Sequence, residues 1–101
     1  MSADNGIYIL QTTTDFPNGY EYRVAHLLAV ENYQWDDKIK NYTDDPDIQI
    51  EHARGMWKNS KVFHNRESAL KEADKLYQEI MNGEFPVIEY GISFIEIPRK
   101  F

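Results

Sequence analysis

The chain has 101 residues, of which 42% are hydrophobic and 14% aromatic, and its 17 acidic and 11 basic residues give a formal net charge of −6. This length and composition predict one globular domain over residues 1–101 and exclude a disordered chain. The acidic balance argues against nucleic-acid binding, which normally requires a basic face.

Two further absences narrow the class of protein. Without cysteine, the chain has no disulfides, thiol nucleophiles or thiolate zinc sites. No apolar run approaches the roughly 20 residues that cross a bilayer, and the first residues lack the positively charged, apolar pattern of a secretory leader. We therefore expect a soluble, cytoplasmic protein with no membrane partner.

The first third of the chain predicts a hairpin followed by a short helix. β-Branched and aromatic residues predict a strand over residues 7–12, and Pro17 with the Asn18-Gly19 pair favours a turn. Residues 20–25 alternate in polarity, which predicts a second strand antiparallel to the first. From Leu27 the apolar residues recur at three-residue steps, which predicts a short helix near residues 27–35.

The rest of the chain predicts strands around one long helix. After a polar, acidic loop over residues 36–47, alternation predicts a third strand over residues 48–57 and a short fourth strand in "KVFH". Asn65 as N-cap, an apolar stripe and the Asn82-Gly83 stop predict a helix over about 65–82. Residues 86–98 form the longest predicted strand, expected at the centre of the sheet.

These elements predict an α+β domain. Its sheet is mainly antiparallel, with about four to five strands and the main helix (about 65–82) packed on one face. The short helix near residues 27–35 follows the second strand.

Aromatic and cationic residues on either side of the acidic loop are the candidate binding residues. Such residues stack on flat rings, pair with phosphates or anchor protein interfaces, and the same aromatic residues also pack ordinary cores. The candidates for ligand or partner binding are Arg23, His26, Tyr33, Trp35, Arg54 and Trp57.

The sequence predicts no catalytic residue, metal site or cofactor. Phosphate loops, dinucleotide fingerprints and nucleophile elbows are absent from it. His26, His52 and His64 are the candidates for catalysis, but none has the spacing of a helical zinc pair. We therefore expect a protein that is not an enzyme.

Three stretches, "MSADNGIYIL", "YRVAHLLAVENYQW" and "EYGISFIEI", with "KVFHNRESALKEA" between the last two, resemble a family of small proteins of tailed bacteriophages, most of unassigned function. The resemblance covers most of the chain and carries over no site residues. It implies an accessory protein in the cytoplasm of the infected host, where such proteins often blunt host defence by binding.

The leading hypothesis is a non-enzymatic phage accessory protein that counteracts a host defence system by binding and blocking a host protein. One alternative is a sponge that sequesters a cyclic nucleotide or an ADP-ribose-like immune signal. Others are an acidic DNA mimic, and a small hydrolase or phosphoesterase that uses His26, His52 or His64. Exposed strand edges and surplus aromatic residues also favour a homo-oligomer.

Overall fold

The fold is built around one central strand, Gly6–Thr13, which contributes to a hydrophobic core on each face of its sheet. A computed structural model describes residues 5–17, 19–84 and 88–101. The elements are β1 (Gly6–Thr13), β2 (Tyr20–Leu27), a 3-10 helix (Val30–Gln34), β3 (Trp35–Asp36), β4 (Asn41–Tyr42), α1 (Pro46–Met56), β5 (Val62–Phe63), α2 (Arg66–Met81) and β6 (Ile92–Lys100).

The main sheet has the strand order β5-β2-β1-β6. The β5–β2 and β2–β1 pairs are antiparallel, and β1 pairs in parallel with β6. A second sheet contains β3 and β4 alone. The α+β class, the mainly antiparallel pairing, the main helix and the short helix after β2 are therefore confirmed.

Each face of the main sheet is covered by one helix. The core between the sheet and α1 contains Tyr8, Leu10, Val30, Ile50, Ala53, Trp57 and Ile97. The core between the sheet and α2 contains Ile7, Ile9, Tyr22, Val24, Ala69 and Ala73. Because adjacent residues of β1 enter opposite cores, this strand is an almost continuous apolar run.

The third strand predicted over residues 48–57 is wrong, because this segment forms helix α1. Asp45 caps the helix by accepting a hydrogen bond from Asp47 N, and Pro46 occupies the first turn, where its missing N–H costs nothing. Ile50, Ala53 and Trp57 lie at helical spacing and face the sheet together.

The central position predicted for the last strand is also wrong, because β6 lies at the edge of the sheet. Its pairing with β1 shifts register after Thr12, opposite the segment that contains Pro98. A proline cannot donate to a strand ladder and is tolerated at edges and bulges. Asn18 of the predicted turn and residues 86 and 87 of the predicted strand lie outside the described residues.

Helix α2 begins and ends where its capping residues predict. The Asn65 side chain accepts a hydrogen bond from Ser68 N, and Asn82 is the C-cap residue. Neither this helix nor any other helix in the described part of the chain is long and apolar enough to cross a membrane.

Candidate functional site

Trp57 is a core residue, so its prediction as a partner-binding anchor does not agree with its position. Its side chain is 0% exposed, and its Nε1 donates a hydrogen bond to Tyr8 O at 3.2 Å. The Trp57 side chain therefore holds α1 to the central strand and has no exposed surface that a partner could contact.

Trp35 belongs to a small projecting hairpin formed by β3 and β4. Its ring meets the Tyr42 ring edge-on, with centroids 5.5 Å apart and an interplanar angle of 81°. Its Nε1 donates to Asp37 Oδ1 at 2.9 Å. Edge-to-face aromatic pairs of this kind are favourable beyond the area that they bury.

Two side chains of α1 hold the base of this hairpin. Gln49 Nε2 donates to Thr43 O at 2.9 Å, and His52 Nε2 donates to Trp35 O at 2.8 Å. Gln49 and His52 are three residues apart, so they lie on the same side of the helix. A two-strand ribbon is marginal by itself, and these hydrogen bonds fix it on α1.

The turn of the hairpin exposes an apolar side chain between two lysines. Ile39 is 59% exposed between Lys38 and Lys40, and Tyr42, in strand β4, is 52% exposed. Lys40 has a φ of 53°, the left-handed conformation that closes the turn. We call Asn32, Trp35, Ile39, Tyr42 and His52 the hairpin surface; all of them except Ile39 line one shallow cavity of about 500 Å³.

Tyr33, in the 3-10 helix two residues before Trp35, is half-buried against the α1 core. Burial raises the pKa of its phenol above the ordinary value of 10.0, and the negative charge of Asp44 raises it further.

We expect the alkaline titration of the folded protein to show one tyrosine, Tyr33, with a raised pKa. Because the folded protein keeps this proton to higher pH than the unfolded chain, stability is full below the unfolded pKa and falls as pH rises above about 10. Replacing Tyr33 by phenylalanine should make that fall shallower, and Asp44→Asn should lower the pKa of Tyr33. Phenolate absorbance and unfolding curves across this pH range check both expectations; an unchanged titration of Asp44→Asn would contradict the second.

Arg23 and Arg54 both contact Phe101. The Arg23 guanidinium lies 3.7 Å from the centroid of the Phe101 ring and 3.2 Å from Glu21 Oε1, and its side chain is 11% exposed. Arg54 Nε donates to Phe101 O at 2.6 Å, and its Nη2 donates to Lys100 O at 3.3 Å. These two predicted contact residues therefore position the end of β6.

The three histidines occupy different surroundings. His26 hydrogen-bonds with Asn5, and His52 donates to Trp35 O. His64 lines a cavity at the β1–β2 turn. Among the residues that the structure describes, no group of three or more histidine, aspartate and glutamate side chains could hold a metal ion.

Most carboxylates of the acidic segment, residues 36–47, have hydrogen-bond or ion-pair partners within the domain. Asp36 accepts from Lys38 N at 2.9 Å, and Asp45 accepts from Asp47 N at 3.0 Å. Asp47 also pairs with Arg99 at 2.7 Å. These partners favour the interpretation that the carboxylates stabilise turns and a helix cap, over the interpretation that they form an array imitating DNA phosphates.

Of the six predicted binding residues, the structure brings Trp35 into the hairpin surface, where it meets His52, one of the three candidates for catalysis. Sequence reasoning missed Ile39, Tyr42 and Gln49, which it placed in a polar loop and a strand. Comparison of the chain with protein-family models, curated proteins and solved structures gives no match.

Proposed function

We propose that the chain is a non-enzymatic accessory protein of a tailed bacteriophage that binds and blocks a host defence protein. The observation that carries the binding step is the hairpin surface, where Ile39 and Tyr42 are exposed on a support fixed to α1. The phage context comes from the resemblance of the three sequence stretches.

The physical case for a protein partner rests on rigidity and side-chain type. Tryptophan and tyrosine are enriched among the residues that dominate interface energies. Because Gln49 and His52 already hold the hairpin, little of its freedom is lost on binding, and this lowers the entropic cost of association. The net charge of −6 would favour a partner with a basic patch around the contact.

The placement of the histidines favours binding over catalysis. General acid–base chemistry needs groups within hydrogen-bond reach of one reacting atom. His26 hydrogen-bonds with Asn5, His52 donates to Trp35 O, and His64 lines the cavity at the β1–β2 turn, so the three side chains lie in separate surroundings. An inhibitor of this type would act at one copy per target molecule.

Expression in bacterial strains that each carry one defence system tests the proposed function. Challenge with a phage sensitive to each system should show restored plating in the strain whose defence protein is the target. Titration of that purified protein should reach full inhibition near equimolar amounts. No restored plating in any strain, or complete inhibition at far below equimolar amounts, would contradict the proposal.

Ile39→Asp should weaken affinity for the purified target by at least about thirtyfold, because hot-spot changes cost about 2 kcal/mol or more. The new charge would replace an apolar contact at the tip of the hairpin. Leu70→Asp is the matched control, since Leu70 is an exposed apolar residue on α2, across the sheet from α1. Calorimetry measures both variants; equal losses in the two would contradict a role of the hairpin surface.

A further inference from the structure

A second concave site lies at the turn between β1 and β2, distinct in its lining from the hairpin surface. It has a volume of about 460 Å³, within the roughly 300–1,000 Å³ typical of small-molecule sites. Three separate segments meet there: the β1–β2 turn, the residue before the α2 N-cap, and the end of β6. The side chains that concern ligand binding are Thr14, Asp15, Phe16, Tyr20, Glu21, Tyr22, His64, Lys100 and Phe101.

The aromatic walls of this turn cavity are held in place by internal contacts. The Phe101 ring lies against the Arg23 guanidinium, and the Phe101 backbone oxygen accepts from Arg54. Tyr22 is buried against the α2 core. These contacts fix two rings before any ligand arrives, which lowers the cost of binding.

The turn that forms the mouth of the cavity is also closed by hydrogen bonds. Thr14 N donates to Gly19 O at 3.3 Å, and Gly19 N donates to Phe16 O at 3.0 Å. A side chain at Gly19 would collide with Thr14 Oγ1. This turn holds Phe16 outward at 78% exposure, and burial of so large an apolar side chain is favourable when a flat ring covers it.

The charges at the cavity balance one another. Lys100 Nζ pairs with Asp15 Oδ1 at 2.7 Å, and Glu21 pairs with Arg23 at 3.2 Å. Among the described lining residues, no uncompensated cluster of cations is available for a polyphosphate. Carboxylates, threonine hydroxyls and the ammonium group nevertheless offer acceptors and donors to the polar edge of a ring.

We propose that the turn cavity binds a nucleoside or a nucleoside monophosphate. The heteroaromatic base stacks on the aromatic side chains of the mouth, Phe16 and Tyr20, as bases stack on aromatic platforms in other proteins. The exocyclic and ring nitrogens of the base hydrogen-bond to the carboxylates and hydroxyls of the rim. His64 and Lys100 line the cavity together with Asp15 and Glu21, so the smaller charge of a monophosphate meets less repulsion from these carboxylates than the charge of a triphosphate.

Titration of isotope-labelled full-length protein with adenosine, guanosine, AMP and ATP tests this inference by backbone amide NMR. We expect a nucleoside or its monophosphate to shift the amides of Thr14, Gly19 and Lys100 saturably, and ATP to bind more weakly. Shifts confined to other residues, no saturable shift with any of the four, or tighter binding of ATP would each overturn the proposal.

Two variants sharpen the test. Phe16→Ala should weaken nucleoside binding at least about fivefold, since loss of one stacking partner typically costs that much. Tyr90→Ala removes an exposed aromatic residue that lines neither the turn cavity nor the hairpin surface, and it should leave nucleoside affinity unchanged. Phe16 is so exposed that the variant should fold, which the amide spectrum checks directly; an unchanged affinity in Phe16→Ala would contradict stacking at the mouth.

Discussion

Trp57→Ala is expected to lower the free energy of unfolding by about 3–5 kcal/mol, the cost typical of deleting a buried tryptophan. The side chain is 0% exposed and packs with Ile50, Ala53 and Tyr8 between α1 and the sheet. The substitution opens a cavity and removes the hydrogen bond from Trp57 Nε1 to Tyr8 O. Since a domain of this kind has only about 5–15 kcal/mol of stability, the loss is a large share of the whole.

Urea unfolding followed by circular dichroism measures the effect of this substitution. Trp35→Ala is the matched control, because Trp35 is only half-buried, lies in the hairpin and should cost clearly less. If the two variants lost equal stability, Trp57 would not be the residue that fixes α1 to the sheet, and the assignment of residues 46–56 to a packed helix would be contradicted.

Ala73→Asp should have the other large effect, a loss of about 3–5 kcal/mol at neutral pH. Ala73 is 0% exposed where α2 meets β1 and β2, and a carboxylate there would be buried without a partner. Leu70→Asp places the same residue on the exposed side of the same helix and should cost much less.

The cost of Ala73→Asp should also depend on pH with a definite sign. Burial raises the pKa of the new carboxyl in the folded state above the unfolded value of about 3.9. The folded protein then holds a proton that the unfolded chain releases, so stability relative to the parent falls as pH rises between these two pKa values. Unfolding curves at about pH 4.5 and about pH 7.5 measure the difference. A deficit that is larger at the lower pH would contradict burial of this position.

Local sequence patterns were enough to predict the elements that have clear capping residues or clear alternation of apolar and polar residues. Asn65 marks the start of α2 and the Asn82-Gly83 pair marks its end, because capping residues satisfy backbone groups within a few residues of themselves. The β1–β2 hairpin follows from β-branched residues on either side of a short turn. Both patterns depend on neighbours in the chain and not on the rest of the fold.

Helix α1 was missed because its sequence supports two periods at once. "IQIEHA" alternates for its first residues, while Ile50, Ala53 and Trp57 keep helical spacing. The Asp45-Pro46 pair, a typical cap followed by a first-turn proline, was the signal that would have decided between the two. The edge position of β6 depends on a long-range parallel pairing with β1, which no local pattern specifies.

The candidate sites were predicted only in part because burial and tertiary contacts decide them. The pattern of aromatic residues selected Tyr33, Trp35 and Trp57 alike, and only the fold separates the half-buried Tyr33 and Trp35 from the fully buried Trp57. Arg23 and Arg54 are cations of the expected kind, yet both contact Phe101, which is distant from each of them in the chain. Ile39 and Tyr42 become candidates for the site only because Gln49 and His52 of α1 hold the hairpin that carries them, and the sequence does not show this contact.

The most direct measurement of the central claim is site-specific photo-crosslinking in bacteria that carry the target defence system. A photoreactive aromatic amino acid replaces Ile39 in one variant and Leu70 in the other, and both are irradiated in living cells. We predict that position 39 crosslinks to a component of the defence system whose activity the chain suppresses, and that position 70 does not. If position 39 gives no such adduct while the chain still suppresses defence, or if both positions give the same adducts, the hairpin surface is not the site of blocking.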